Sequence, residues 1–545
     1  MRPLGSLGLL IAAVYGAVLG FDFVRWDDPV NITHNPMFRE SWSHELLVKL
    51  VNGDTALRFK PLVWLLYRAT HDLFGFNPAA WHALNLGLQL AAVGMFWLVL
   101  RALLARLRPE TPAATCDLLA WLGAAVWAVH PAHVEATAWA TATPYPLMVF
   151  FLLGSFWCYL AATDPARRDE SRSLFFKSWL WALAAYASYP VGVTYGLGLM
   201  VADIWLLRIA PLTRDRRAEI APWLLRHALF LLPAVGSVLV TWQSSSTTPW
   251  LYPAPATLAE VDVWVRLKMG AAMLASVWTH FFWPFGFTPN NPMLPAAMVQ
   301  GPMILALAGL AVLLFLGAVF LRRRFPGFPA LFFGSTVLAL PVLGFSQWPT
   351  WAVADRHVYL PHLVLAGALV LALAAHGAAM RRTSWFTAAA FTLVGGLAWL
   401  GHRQVLIWRN TDSLFQYLEA QPAFAWNTSQ QAYIYQLWGA QLTEDGQPDR
   451  AREKNTRARQ VFQEGMLAEA ERGHWGEAVE LSRRLEQSYG LPPVLRRERV
   501  RWLLQFRRLT EAQFDLAILA HELPGDPETG RLLLEWQQQT AGNHL

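Results

Sequence analysis

Apolar runs of membrane-spanning length recur through roughly the first 400 of 545 residues, and no other feature restricts the possible folds so strongly. Backbone amides have no water to bond in hydrocarbon, so such runs fold as helices that satisfy themselves. Candidate spans lie near 4–22, 79–104, 117–134, 145–163, 178–191, 192–209, 227–243, 302–321, 329–345, 360–378 and 385–401. The predicted fold class is therefore all-α, with about eleven spans. Only 15% of the chain is charged, against about a quarter in a typical soluble domain. The 28 Trp and 13 Tyr suit a protein with many interfacial anchors. With two cysteines, Cys116 and Cys158, no disulfide framework or Cys-based metal site can be built. The first run is read as a retained anchor rather than a cleaved leader, because no clean small-x-small site precedes Asp27.

Charge orients the spans. Alternate connections carry Arg106 and Arg108, then Arg167, Arg168, Arg172 and Lys177, then Arg208, Arg214, Arg216, Arg217 and Arg226, then Arg322 to Arg324, and Arg381 with Arg382. The opposite connections, 130–144, 244–265 and 345–359, carry Arg356 alone. This bias places the N-terminus inside and Asp27 and Asp28 outside. The net charge of +6 thus follows topology and is not a nucleic-acid signal. The apolar run 267–287 would upset the pattern if it spanned, so it is predicted to be re-entrant or to lie along the outer surface. Lys60 to Phe76 is amphipathic and is predicted to lie in the outer interface.

After Leu400 charges become frequent and apolar residues take helical spacing. Gly446-Gln447-Pro448-Asp449-Arg450-Ala451 and Gly473-His474-Trp475-Gly476-Glu477-Ala478 share a helix-turn-helix signature, and a degenerate copy ends at Ala512. Ala478 to Ala512 is 34 residues, the tetratricopeptide period, whereas Ala451 to Ala478 is 27. The division read from sequence is a membrane domain over 1–401 and an outer tetratricopeptide-like domain over 402–545. The tail is either a surface that binds a protein acceptor or a plain helical cap.

The chemistry concentrates in the outer loops. Asp27 and Asp28 directly follow the first span, where acids are costly and read as functional. Like-charge repulsion should raise one pKa, as a base working near neutral pH needs. Glu135 follows His130 and His133 in the next outer loop. His-x-x-His with Glu is compatible with a divalent ion, but no closed ligand set appears, and a site-lining role without metal is favoured. Arg356 can fork onto a phosphate, with Lys60, Arg58 and Arg266 as alternatives and an ion pair with Asp355 as its structural reading.

Several stretches, taken in order, resemble the transmembrane-and-tetratricopeptide-repeat family of protein O-mannosyltransferases and its bacterial relatives, within the GT-C glycosyltransferase class. They are Trp26-Asp27-Asp28 with Ile32 and Asn35-Pro36; Lys60-Pro61-Leu62 through Leu73-Phe74-Gly75-Phe76-Asn77-Pro78 with His82 and Asn85; His130-Pro131-Ala132-His133-Val134-Glu135-Ala136; Trp283-Pro284-Phe285-Gly286; Ala354-Asp355-Arg356-His357-Val358-Tyr359-Leu360-Pro361; and Trp408-Arg409-Asn410. The chain departs from the family pattern at Thr141 to Pro146, where Gly-Arg-x-Asp is usual, at Tyr189, where Lys is usual, and at Lys60, where Arg is usual.

The resemblance implies a polyprenyl-phosphate sugar donor, a carboxylate base (Asp27 or Asp28, with a lean to Asp27), Glu135 as a second acid, and a donor side of Arg356 with Asp355, Tyr359, His130 and His133. It implies transfer of mannose or another hexose to a hydroxyl of an exported protein, with the tail presenting the acceptor. The expected setting is a bacterial inner membrane with the tail in the periplasm. Two other readings stand beside it: a polymerase or ligase of lipid-linked glycans, and a non-catalytic membrane scaffold.

Overall fold

A computed structural model describes residues 3–52, 59–246, 262–289, 301–343, 354–376, 384–422, 424 and 428–541. The described residues are helical, with no strand among them. Arg58, Arg381, Arg382 and much of connections 244–265 and 345–359 lie outside the described residues.

Every expected span coincides with a helix, but they are unequal. Among the described residues five are long and apolar enough to cross a membrane: Pro3–Gly20, Pro78–Leu107, Ala140–Ala162, Arg214–Thr241 and Pro302–Phe320. A sixth candidate is broken, Ala113–Val129 joined to Pro131–Ala138 across a 59° bend. The break follows from Pro131, whose ring removes a helical hydrogen bond. The expected count of eleven is therefore not reached by length and composition alone: Pro190–Leu206, Phe328–Val342 and His362–Ala375 are apolar but shorter.

The core forms where these helices meet. Pro144–Ala162 packs against Ser171–Ser188 and Pro78–Leu107, and Ala113–Val129 packs against Pro3–Tyr15, Pro78–Leu107, His362–His376 and Ser384–Val405. Trp127 on Ala113–Val129 is fully buried, with Phe96, Tyr359 and His133 around its ring. Gly154 is needed for close approach, since a Cβ there would run into the Trp181 indole.

Two expectations about interfacial segments resolve differently. Residues 61–74 form the amphipathic helix Pro61–Phe74, burying Trp64 and Tyr67 and exposing Leu73 and Phe74. The 267–287 run is not re-entrant. It is one unbroken helix, Val263–Phe282, with Met269, Met273, Val277 and Trp278 buried.

The chain divides into compact units Met1–Gln421 and Pro422–Leu545. Residues 402–421, which sequence assigned to the tail, pack with the first unit: Thr411 Oγ1 accepts a hydrogen bond from Arg25 N at 2.9 Å, and Phe415 meets Trp26. The second unit is a run of antiparallel helices, Thr428–Glu444, Pro448–Glu471, Trp475–Tyr489, Pro493–Gln505, Leu509–Glu522 and Pro527–Ala541. Gly446 and Gly473 take positive φ (70° and 79°) at the two signature turns, and Ala451, Ala478 and Ala512 are buried. The degenerate third turn puts Arg507 in the same left-handed region, at φ 54°.

Candidate active site

The site is assembled on the loop that follows the first helix. Pro29 opens a short wide turn, Pro29–Thr33, and the Asn35 side chain caps Pro36–Phe38 by accepting from Met37 N at 3.0 Å. Ile32, Met37 and Phe38 plug the loop into a buried cluster with Val63, Trp64, Tyr67, Trp81 and Ala140. The loop is pinned at its start as well, where Asp22 N donates to Arg409 O at 3.0 Å.

This framework separates the two acids. Asp28 is 1% exposed. Its Oδ2 accepts from Val24 N at 2.8 Å and its Oδ1 from the Thr141 hydroxyl. Burial raises its pKa to about 7, against the lowering effect of those two hydrogen bonds. Asp27 is half-buried, and its carbonyl receives Asn31 N and Nδ2, both at 3.0 Å. Asn31 Oδ1 in turn accepts from Lys60 Nζ at 3.0 Å. Lys60 is buried, its ammonium 4.0 Å from the Trp64 ring centroid.

Glu135 comes from the short helix after the 59° break, and Arg356 from the turn Asp355–Val358. Arg356 N donates to Glu135 Oε2 at 2.8 Å, and its Nη1 donates to Oε1. The Arg356 side chain is 13% exposed and Glu135 2%. The guanidinium carbon lies 5.6 Å from the Trp139 ring centroid. Asp355 is buried, and its Oδ1 has no hydrogen-bond partner among the described residues. Burial and then the Glu135 charge hold the Asp355 carboxyl well above the usual carboxylate range. The loops that carry Asp28 and Glu135 are joined where Thr141 bonds Asp28.

Other expected residues sit around this group. Arg356 pairs with Glu135 and not with its neighbour Asp355. The Tyr359 hydroxyl donates to Gln89 in the core and its carbonyl accepts from Trp127 Nε1 at 3.1 Å, so Tyr359 supports the loop from behind. His130 and His133 lie in the buried turn that precedes Glu135. Arg266 is part-buried in the first turn of Val263–Phe282 and takes no part in the bonds above. Arg58 lies outside the described residues.

Sequence reading missed Thr141 and the Tyr145–Tyr189 pair, whose hydroxyls are 3.4 Å apart and whose electrostatics are tied to Arg356. The signal was present: Thr141, Tyr145 and Tyr189 all fall where this chain departs from the family pattern.

Against known proteins, a stretch of 260 residues is 25% identical to Protein O-mannosyl-transferase TMTC2 of Homo sapiens, over 45% of this chain and 28% of that protein. Stretches of 184 and 186 residues are each 26% identical to the proteins of that name from Mus musculus and Xenopus laevis, over 33% of this chain and 20% of either relative. The chain is thus matched to less than a third of each relative's length. These relatives bear the family name that the motifs resembled. No protein-family model matches the chain, and no solved structure does.

Proposed function

We propose that this protein is a membrane glycosyltransferase of the GT-C type, moving a hexose from a polyprenyl-phosphate donor to a hydroxyl of an exported protein on the outer face of the membrane. The observation that carries the reading is that one loop, 130–144, is bonded to both groups: its Thr141 to Asp28, next to the half-buried Asp27, and its Glu135 to Arg356. The similarity to proteins named O-mannosyl-transferases points the same way and makes mannose the first sugar to test.

Displacement at an anomeric carbon needs a base for the attacking hydroxyl and positive charge for the departing phosphate. Asp27 is the acid an acceptor can reach and takes the hydroxyl proton. Asp28, locked by Val24 and Thr141, positions that loop. A guanidinium has five N–H donors, and the bond from Nη1 to Glu135 leaves donors for the phosphate oxygens. Glu135 aims Arg356 and holds its loop through the second bond, to the backbone N–H. The exposed Leu73 and Phe74 of the amphipathic helix suit an interface where a polyprenyl chain enters. About eleven spans, an inside N-terminus and a tetratricopeptide-like tail in the bacterial periplasm, presenting the acceptor, complete the proposal.

The test compares intact masses of exported proteins from cells carrying the wild-type chain, a deletion, and the Asp27→Asn/Asp28→Asn pair. A hexose-sized mass lost equally in the deletion and the double variant supports the transferase and identifies its acceptor. Full rescue of a deletion phenotype by the double variant, with no sugar involved, would leave the scaffold reading in its place. A change confined to lipid-linked glycans would favour the polymerase or ligase.

A further inference from the structure

We propose that His130, His133 and His362 form a binding site for one divalent metal ion of the zinc class, tying together the loops that carry Glu135 and Arg356. His362 was not among the residues singled out from sequence. It begins the helix His362–His376, six residues after Arg356, and all three imidazoles are 0–1% exposed. One ligand atom from each ring lies within 4.8 Å of the others.

Hydrogen bonding decides which nitrogens are available. A carbonyl can only accept, so a ring nitrogen facing one must carry the hydrogen. His133 Nδ1 faces Trp127 O at 2.6 Å, His362 Nε2 faces Val277 O at 2.8 Å, and His130 Nε2 faces Phe281 O at 3.2 Å. Each neutral ring therefore keeps its lone pair on the other nitrogen. An imidazole that anchors one nitrogen to a backbone carbonyl and presents the other is the arrangement that supports metal-ligating histidines.

Two of the three lone pairs are left facing each other. His133 Nε2 and His362 Nδ1 face each other at 2.9 Å, and with both hydrogens assigned elsewhere neither can donate to the other. Two bare lone pairs at this distance repel, and an electron-pair acceptor between them removes the conflict. The remaining nitrogen, His130 Nδ1, accepts the Ala132 N–H at 3.2 Å, a long bond that the ion would replace. Three neutral imidazoles suit zinc or a neighbouring first-row divalent ion better than magnesium or calcium, which take oxygen ligands. Glu135, the carboxylate first considered beside these histidines, is committed to Arg356 and is not a ligand. The ion would bridge the turn before Glu135 to the helix after Arg356. The site does not depend on the reaction the protein performs.

The full chain, purified in detergent on a tag free of histidine, is stripped with a chelator, offered one equivalent of Zn²⁺, desalted, and assayed for metal. A second cluster, Glu469, His474 and Glu477 on the exposed tail, could hold adventitious zinc, so His474→Ala is measured in parallel. The expected result is about one zinc per chain in the wild type and in His474→Ala, and less than a tenth of that in His362→Ala. Should His362→Ala not fold, Co²⁺ is added to the stripped wild type, and visible d–d bands of a nitrogen-ligated site support the proposal. Failure of the wild type to take up zinc or show those bands overturns it, as does a full equivalent of zinc in folded His362→Ala.

Discussion

Glu135 holds Arg356 twice, once through the guanidinium and once through the backbone amide at 2.8 Å. The two residues lie 221 positions apart, and both side chains are largely withdrawn from solvent. Removing one member of a buried pair strands the other charge, at about 3–5 kcal/mol. Glu135→Ala should therefore lower the thermal stability of the detergent-solubilised protein sharply, and Glu135→Gln less, because an amide oxygen can still accept one of the two bonds. Adding Arg356→Met to Glu135→Gln should recover much of the loss. A double-mutant coupling below about 1 kcal/mol would mean that the pair does not form as described.

Asp28 gives stability a pH dependence whose sign is fixed. Its folded pKa of about 7 stands above its ordinary 3.8, so between those values the folded protein keeps a proton that the unfolded chain has released. Stability contributed by this group is present at low pH and falls as pH rises through that window, by up to about 1.4 kcal/mol per unit. Asp28→Asn can keep its oxygen on Val24 N and turn its amide N–H to the Thr141 oxygen, and it has no charge to bury. Its melting temperature relative to wild type should therefore climb between pH 5.5 and 8. A difference that stays flat would show that Asp28 does not titrate in this range.

Thr141→Val probes the same carboxylate from the other side. The hydroxyl is the donor to Asp28 Oδ1, and valine keeps the shape while removing it. Leaving a buried acceptor bare costs about 1–3 kcal/mol. The hydroxyl also pulls the Asp28 pKa down, so its loss should push that pKa further up. Stability measured against pH should show the Asp28 transition displaced to higher pH, together with an overall loss at pH 8. Unchanged stability and an unmoved transition would remove Thr141 from the site.

Sequence reading singled out the acid pair because carboxylates beside a span have few cheap structural uses, and the structure buries one of the two, Asp28. It likewise found the tail's turns, since Gly446 and Gly473 sit where positive φ is required. It could not decide between Asp27 and Asp28, because which acid is buried depends on how Ile32, Met37 and Phe38 pack against Val63, Trp64, Tyr67 and Trp81, far along the chain. Nor could spacing reveal that Glu135 aims Arg356, or that His362 joins His133. Those contacts depend on how helices stack, and hydropathy carries no record of stacking. Of the two readings of the 267–287 run, the unbroken helix Val263–Phe282 removes only the re-entrant one: charge counting can argue that a segment does not span, but says nothing about whether it folds back.

The inside-outside arrangement makes a prediction that the folded geometry lets one test cleanly. Basic residues stay on the inner side because moving them across the bilayer is costly. Asp169 lies in the exposed connection that also carries Arg167 and Arg168, and Ser41 is exposed in the loop beyond the acid pair, which the proposal puts outside. The two native cysteines are buried, so background labelling should be low. In sealed spheroplasts, a membrane-impermeant maleimide should label Ser41→Cys directly and Asp169→Cys only after detergent opens the membrane. If both positions label from the same side, an odd number of crossings does not separate them and the span assignment between 79 and 163 must change. If the pattern is reversed, Asp27 and Asp28 face the cytoplasm, and an exported protein could not be the acceptor.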